Sequence, residues 1–326
     1  MRIVIFASSK FSIPLLEKLH KSEHEICAVY SQPPSISGRG MKLKENEVCL
    51  KSRELNLKLL FPDNINKDVE INKLEQMKPD IAVVSAYGQI LSSKLLRVPK
   101  FGFVNLHPSL LPRWRGAAPI ERALMAGDKE TGVCTIKMIK ELDAGPILAK
   151  ESFIINLDET NSSLSQKLSI IGANQLLDVI NNLELISEIP QESEGVTYAF
   201  KIHKSETRIN WNLPGKIVDR FIRGLSEKPG AWSIMNGSRV KIFLKDNLQM
   251  VREVDGGSSH ASQNTSIVHF GLGENTKIDS LSITWPGGKT QSLVDIAANQ
   301  LLEVDEIDEI IDYSLWDRFL KYFSID

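Results

Sequence analysis

Three cysteines, Cys27, Cys49 and Cys134, are all this chain of 326 residues carries, scattered and odd in number. That usage suits a reducing compartment and offers neither a disulfide framework nor a zinc cluster. No apolar run approaches the roughly 18 residues of a membrane span, and MRIVIFASSK lacks a signal peptide's long apolar core and small-residue cleavage site. A cytoplasmic protein without membrane attachment is expected. An excess of charge is missing too. Lys and Arg number 39 against 41 Asp and Glu, a net charge of −2, so an anionic partner has to be met by local basic patches. There is no internal repeat. The first turn, FASSKF, has no glycine, which excludes a dinucleotide or Walker phosphate cradle there.

What is present is an alternation of short apolar runs with helical patterns. RIVIFA (2–7), EICAVY (25–30), KLLF (58–61), DIAVVSAY (80–87), FGFVNLH (101–107), TGVCTIKMI (131–139) and GPILAKESFII (145–155) read as strands. SIPLLEKLHK (12–21), KDVEINKLEQMK (67–78) and the long stretch 162–183 have helical spacing, the last with Leu164, Leu168, Ile171, Leu176, Leu177 and Ile180 near one face. This order predicts an α/β fold, a doubly wound and mostly parallel sheet of Rossmann-like type, over residues 1–188. A polar linker (189–206) and a smaller β-rich C-terminal domain (207–306) with an Asn236–Gly237 turn follow, then an acidic and helical tail (307–326). Any ligand of such a sheet belongs beyond the carboxyl ends of its strands, where NLH and SAYGQIL both lie.

Side chains two apart on a strand share a face, so Asn105 and His107 project together just before Pro108 ends the ladder. An amide donor beside an imidazole forms an oxyanion-stabilising pair for attack at an acyl carbon. A carboxylate is the natural third member, and ELDAGPIL offers Asp143 on a turn between two strands. Spacing alone leaves a structural reading open, with Asn105 capping a turn, His107 satisfied in the core and Asp143 opening a turn.

NLHPSLLPRWRGAAPIERAL (105–124) resembles the signature of the folate-dependent formyltransferases, closest to their methionyl-tRNA formyltransferase branch. SQPPSISGRGMKL, KPDIAVVSAYGQIL, GDKETGVCTIKM, LDAGPIL, VTYAFKI and RINW match in order over about residues 1–245. The resemblance implies 10-formyltetrahydrofolate as donor, an amine as acceptor and no metal. Asn105 and His107 would bind the formyl oxygen, and Asp143 would orient His107 and take up the amine's proton. Ser85, Ala86, Tyr87, Gly88, Ile90 and Leu91, with Ser109, Leu110, Leu111 and Pro112, would form the folate pocket. SGRGMKLK resembles a loop engaging the acceptor end of initiator methionyl-tRNA, through Arg39, Lys42 and Lys44. A monomer is expected. Two other readings stay open: an N-formyltransferase acting on an amino nucleotide-sugar, and a non-catalytic folate- or RNA-binding relative.

The chain departs from that pattern in several places. ASSKF stands where GTPEF is usual, LDAGP where LDTGD is usual, and SEKPGAW replaces an Asn-Pro-Trp-Pro-like stretch. From about residue 248 to 306 the sequence instead resembles an UnbV/ASPIC-type module, through HFGLG (269–273), IDSLSITWPGGKTQ (278–291) and ANQLLEV (298–304). There Leu281, Ile283 and Trp285, with Leu293, would form the core of a small β unit. No catalytic activity is implied by it. The acidic run EVDEIDEIID would repel phosphates.

Overall fold

The computed structural model describes residues 1–37, 42–235, 238–243, 277–284, 290–297 and 304. By its contacts the chain divides into two compact units, Met1–Glu253 and Val254–Asp326.

The first unit is organised by a seven-stranded sheet. Its strands are β1 (Arg2–Ala7), β2 (Glu25–Tyr30), β3 (Leu59–Leu60), β4 (Ile81–Ser85), β5 (Phe103–His107), β6 (Glu130–Lys137) and β7 (Ile147–Ile154). They lie in the order β3-β2-β1-β4-β5-β6-β7. The five from β1 to β5 are parallel, while β6 runs antiparallel to β5 and β7 antiparallel to β6. The helices are α1 (Ile13–His20), α2 (Glu47–Glu54), α3 (Asp68–Met77), α4 (Ser93–Leu96), α5 (Pro119–Ala126), α6 (Asn161–Asn181) and α7 (Gly215–Leu225).

The period-2 alternation of the strands sorts the core into two layers. Ile3, Ile5, Val83, Val104 and Leu106 pack with Leu15, Leu16 and Leu19 of α1 and Leu164, Leu168, Leu176 and Ile180 of α6. Val4, Phe6, Ala82, Val84 and Phe103 pack on the other side with Ile71 and Leu74 of α3 and Leu95 of α4. Phe6 anchors that second layer, its ring stacked 4.7 Å from Tyr30 and edge-on to Tyr87 at 5.2 Å. Removing a fully buried aliphatic or aromatic side chain from water stabilises by about 1.5–3 kcal/mol, so both layers are specified strongly. α6 begins at Thr160, whose side chain accepts from the Ser163 N–H in a capping box.

Strand order changes direction between β1 and β4, where the chain leaves β1 to opposite sides. In doubly wound sheets ligands bind in the crevice beyond the carboxyl ends at such a point. The turn after β1 is closed by hydroxyls: Ser8 Oγ donates to the Tyr87 carbonyl at 3.1 Å, and Ser12 Oγ donates to the Ser85 carbonyl at 2.8 Å.

The segment read as a linker is bonded to the sheet domain at several places. Ile189 exchanges two backbone hydrogen bonds with Ile147. Tyr198–Ala199 pairs in parallel with Arg115–Gly116, and Arg122 holds Glu206 and the Phe200 carbonyl. α7 then packs on α5, with Val218, Ile222 and Leu225 meeting Met125, Ile209 and Ala231. Strands Ala231–Met235 and Ser238–Ile242 pair antiparallel up to Met235 opposite Ser238; the Asn236–Gly237 turn lies outside the described residues.

In the second unit, Lys277–Thr284 and Thr290–Ala297 pair as antiparallel strands with Leu281 opposite Leu293. Leu281, Ile283 and Leu293 are half-buried. Trp285, HFGLG, most of ANQLLEV, the acidic run and the helical tail fall outside the described residues.

Candidate active site

Phe103 of β5 faces the α3 layer, while Val104 and Leu106 face α1 and α6. Strand alternation therefore puts Asn105 and His107 on Phe103's side, in the last two positions of that face. Both are almost closed from solvent, at 8 % and 4 % exposure. Asp143, on the turn from β6 to β7, comes to them. Asn105 Nδ2 donates to Asp143 Oδ1 at 3.1 Å, and His107 Nδ1 lies 3.6 Å from Asp143 Oδ2. The three candidates chosen from sequence thus form one cluster.

The carboxylate is held from several directions. Gly116 N–H donates to Asp143 Oδ2 at 2.9 Å. Gln191 Nε2 donates to the carbonyls of Asp143 and Gly145 at 2.8 and 2.7 Å, while its Oε1 accepts from Arg115. Arg115 is therefore a brace here. Asp143 itself takes a left-handed conformation, φ 46°, uncommon for a residue with a Cβ. Gly145 allows the turn to fold back, since a Cβ there would meet the Lys137 carbonyl oxygen at 1.7 Å.

His107 is gripped on its far side. Its Nε2 lies 2.8 Å from the Trp114 carbonyl oxygen. Trp114 and Gln191 were not singled out from the sequence, because each acts through hydrogen bonds to residues remote in the chain and neither belongs to a periodic pattern. Opposite His107 on β6 sits Cys134, whose thiol burial pushes up to about 11.

The proposed folate residues divide in two. In the turn after β4, Ala86, Gly88 and Ile90 are exposed while Tyr87 and Leu91 are buried beneath them. Ala86 and Gly88 both have positive φ, 48° and 91°. Ser85 is wholly buried beside Ala7 of β1, its Oγ 2.9 Å from the Ser12 hydroxyl. In the loop after β5, Ser109 and Leu111 are core residues: Ser109 Oγ donates to the Arg113 carbonyl at 2.7 Å, and Leu111 packs on Cys134 and Ile136. Leu110 and Pro112 are half-buried. Among the basic residues, Lys44 is exposed at the end of a short strand pair, Ser35–Ser37 with Lys42–Lys44. Arg39 and the Lys42 side chain lie outside what is described.

An amide donor, an imidazole and a carboxylate converging at the carboxyl edge of such a sheet suit an acyl carbon attacked by a nucleophile with a proton to lose. The molecule is a group-transfer protein of that class by fold and site. Sequence comparison gives the family: residues 1–180 match the formyl transferase family, and the chain belongs to it. It is 45 % identical over 243 residues to the methionyl-tRNA formyltransferase of Roseobacter denitrificans, covering 74 % of this chain and 80 % of that one. Among solved structures, a 4-N formyltransferase from Francisella tularensis superposes with a TM-score of 0.60 at 17 % identity, over 77 % of this chain and 98 % of that one. HypX from Aquifex aeolicus, in complex with tetrahydrofolic acid, superposes at 0.56 and 19 % identity over 74 % of this chain and 37 % of the longer HypX chain. A second family, ASPIC and UnbV, matches residues 230–310. That match begins upstream of the boundary expected near residue 248 and takes in the Ala231–Met235 and Ser238–Ile242 pair.

Proposed function

We propose that this chain transfers a formyl group from 10-formyltetrahydrofolate to the amino group of initiator methionyl-tRNA. The observation that carries it is the assembled trio, Asn105, His107 and Asp143, in a chain 45 % identical over 243 residues to a methionyl-tRNA formyltransferase. The folate donor supplies the formyl carbon. Asn105 donates to the formyl oxygen as it gains charge, and His107 beside it stabilises the same charge. Asp143, held by Gly116 and Gln191, orients the pair and accepts the proton that the attacking amine releases; the bond from the formyl carbon to folate N10 then breaks, and that proton goes to N10 as tetrahydrofolate leaves.

The turn after β4 fits a flat, hydrogen-bonding pterin. Its exposed residues, Ala86, Gly88 and Ile90, leave the main chain accessible at the sheet's crevice, and Tyr87 and Leu91 anchor it from below. Ser85, Tyr87, Ser109 and Leu111 serve that pocket through main chain or as support, and Leu110 and Pro112 as wall. Arg39, Lys42 and Lys44 contact the tRNA backbone. The domain plan is a catalytic body over 1–188, a bracing segment over 189–206, a family-like part to 247, an UnbV/ASPIC-like part to 306 and a tail beyond, acting as a cytoplasmic monomer. No helix among the described residues is long and apolar enough to cross a membrane.

The runner-up acceptor is an amino nucleotide-sugar, favoured by Ala144 and Pro146 in LDAGP. Incubation with the formyl donor and a mixed panel of amine acceptors, read by mass spectrometry, tests both. Formylated methionyl-tRNA is expected. A formylated sugar nucleotide with unmodified methionyl-tRNA would reverse the assignment, and folate binding without any product would leave a binding protein.

A further inference from the structure

We propose that Asp128, Arg113 and Trp114 form a positioning device that fixes the proton of His107 on Nε2, leaving Nδ1 as its working nitrogen. The observation behind it is a strained tryptophan. Trp114 has φ 66°, a left-handed conformation that bulky side chains rarely adopt, and such outliers persist where the surroundings over-determine them.

Three contacts on Trp114 impose this one. Trp114 Nε1 donates to Asp128 Oδ2 at 2.7 Å, and its backbone N–H donates to Thr197 Oγ1 at 2.9 Å. The Arg113 guanidinium lies over the indole, 4.2 Å from its centroid, and is itself tied to Asp128 by hydrogen bonds of 2.9 and 2.7 Å. Asp128 is fixed in turn, just past the end of α5, by its N–H to the Ala123 carbonyl at 3.0 Å.

The product of that strain is the direction of one carbonyl. Trp114 O stands 2.8 Å from His107 Nε2, and a carbonyl oxygen only accepts, so Nε2 must carry hydrogen. The other tautomer would set a ring lone pair against the carbonyl inside a site of 4 % exposure. Nδ1 then lies 3.6 Å from Asp143 Oδ2, where it takes up the proton that Asp143 accepts from the amine and so donates to the formyl oxygen as that oxygen gains charge. Asp128, Arg113 and the Trp114 side chain act through His107, so they are positioning residues, and the proposal rests on His107 belonging to the catalytic trio.

The test uses the full chain at rest. Nitrogen-15 NMR of the imidazoles, with His107 assigned through His107→Asn, should find its proton on Nε2. Trp114→Phe keeps the ring under Arg113 but loses the indole N–H, and Asp128→Asn removes the charge. In both, kcat should fall by on the order of 10- to 100-fold, as when outer hydrogen-bond partners of a working histidine are removed. KM for donor and acceptor should hold, and His107 should show a mixture of tautomers. A resting proton on Nδ1, unchanged kcat in both variants, or a lower kcat with the tautomer unaltered would each overturn the proposal. The resting measurement needs no substrate, so a mistaken acceptor cannot be confused with a mistaken tautomer.

Discussion

The central sheet and the hairpin at 277–297 are both β structure, built on different terms. In β1 and β4 nearly every side chain is buried, because helices cover both faces. In the hairpin no described residue is buried, and half-buried positions alternate with exposed ones. The two-sided core can hold a catalytic cluster in fixed geometry, since its rotamers are locked by packing. A one-sided pair has little with which to hold one. Every member of the trio, and each contact bracing it, lies before residue 200. Among the described residues of 230–310, the part that resembles ASPIC and UnbV, no hydrogen bond reaches this cluster.

Four experiments press on that contrast. The largest effect should come from the trio: Asn105→Ala, His107→Ala and Asp143→Ala should each slow single-turnover formylation by about 100- to 1000-fold. Near wild-type rates in all three would move the chemistry elsewhere. Next, Gly145→Ala should cost about 3 kcal/mol or more of stability, seen as a lower Tm, because its methyl meets backbone. Third, Cys134 should resist alkylation at pH 8 in the folded chain, where burial disfavours the reactive thiolate, and react fully once denatured. Since its pKa is raised to about 11, raising the pH through that value should speed the reaction and cost the fold stability. Rapid labelling at pH 8 would show that β6 opens. The smallest effect is expected from a chain ending after Glu253, at the boundary between the units: catalysis on a small amine acceptor should be unchanged. Loss of folded protein would show that the two regions depend on each other.

The sequence announced its central strands well because they are short apolar runs, and its longest helix because a stripe of leucines repeats with helical period. β4 and β5 fall inside the stretches read for them, and α6 begins and ends within two residues of its expected span. The antiparallel turn to β6 and β7 was not legible, since a strand's side-chain pattern reads alike in either direction. Asn105 and His107 stood out by breaking an apolar alternation. Trp114 did not: its role is its φ angle and its carbonyl, and neither is written in side-chain character. Asp128 follows the glycine that ends α5 and reads as a helix stop. Gln191 is one polar residue among many in a segment whose composition suggested a free tether, and only the fold brings it to Asp143.

That reach of Gln191 sets an order of events at the ribosome. Chains emerge N-terminus first, so the sheet and the Asp143 turn exist before the glutamine that grips the turn's carbonyls and before Thr197, which holds Trp114. A nascent chain of sheet alone carries Asn105, His107 and Asp143 but lacks Gln191 and Thr197, which bond to the Asp143 turn and to Trp114. The strand at Tyr198–Ala199 is the last of these bracing pieces to be made.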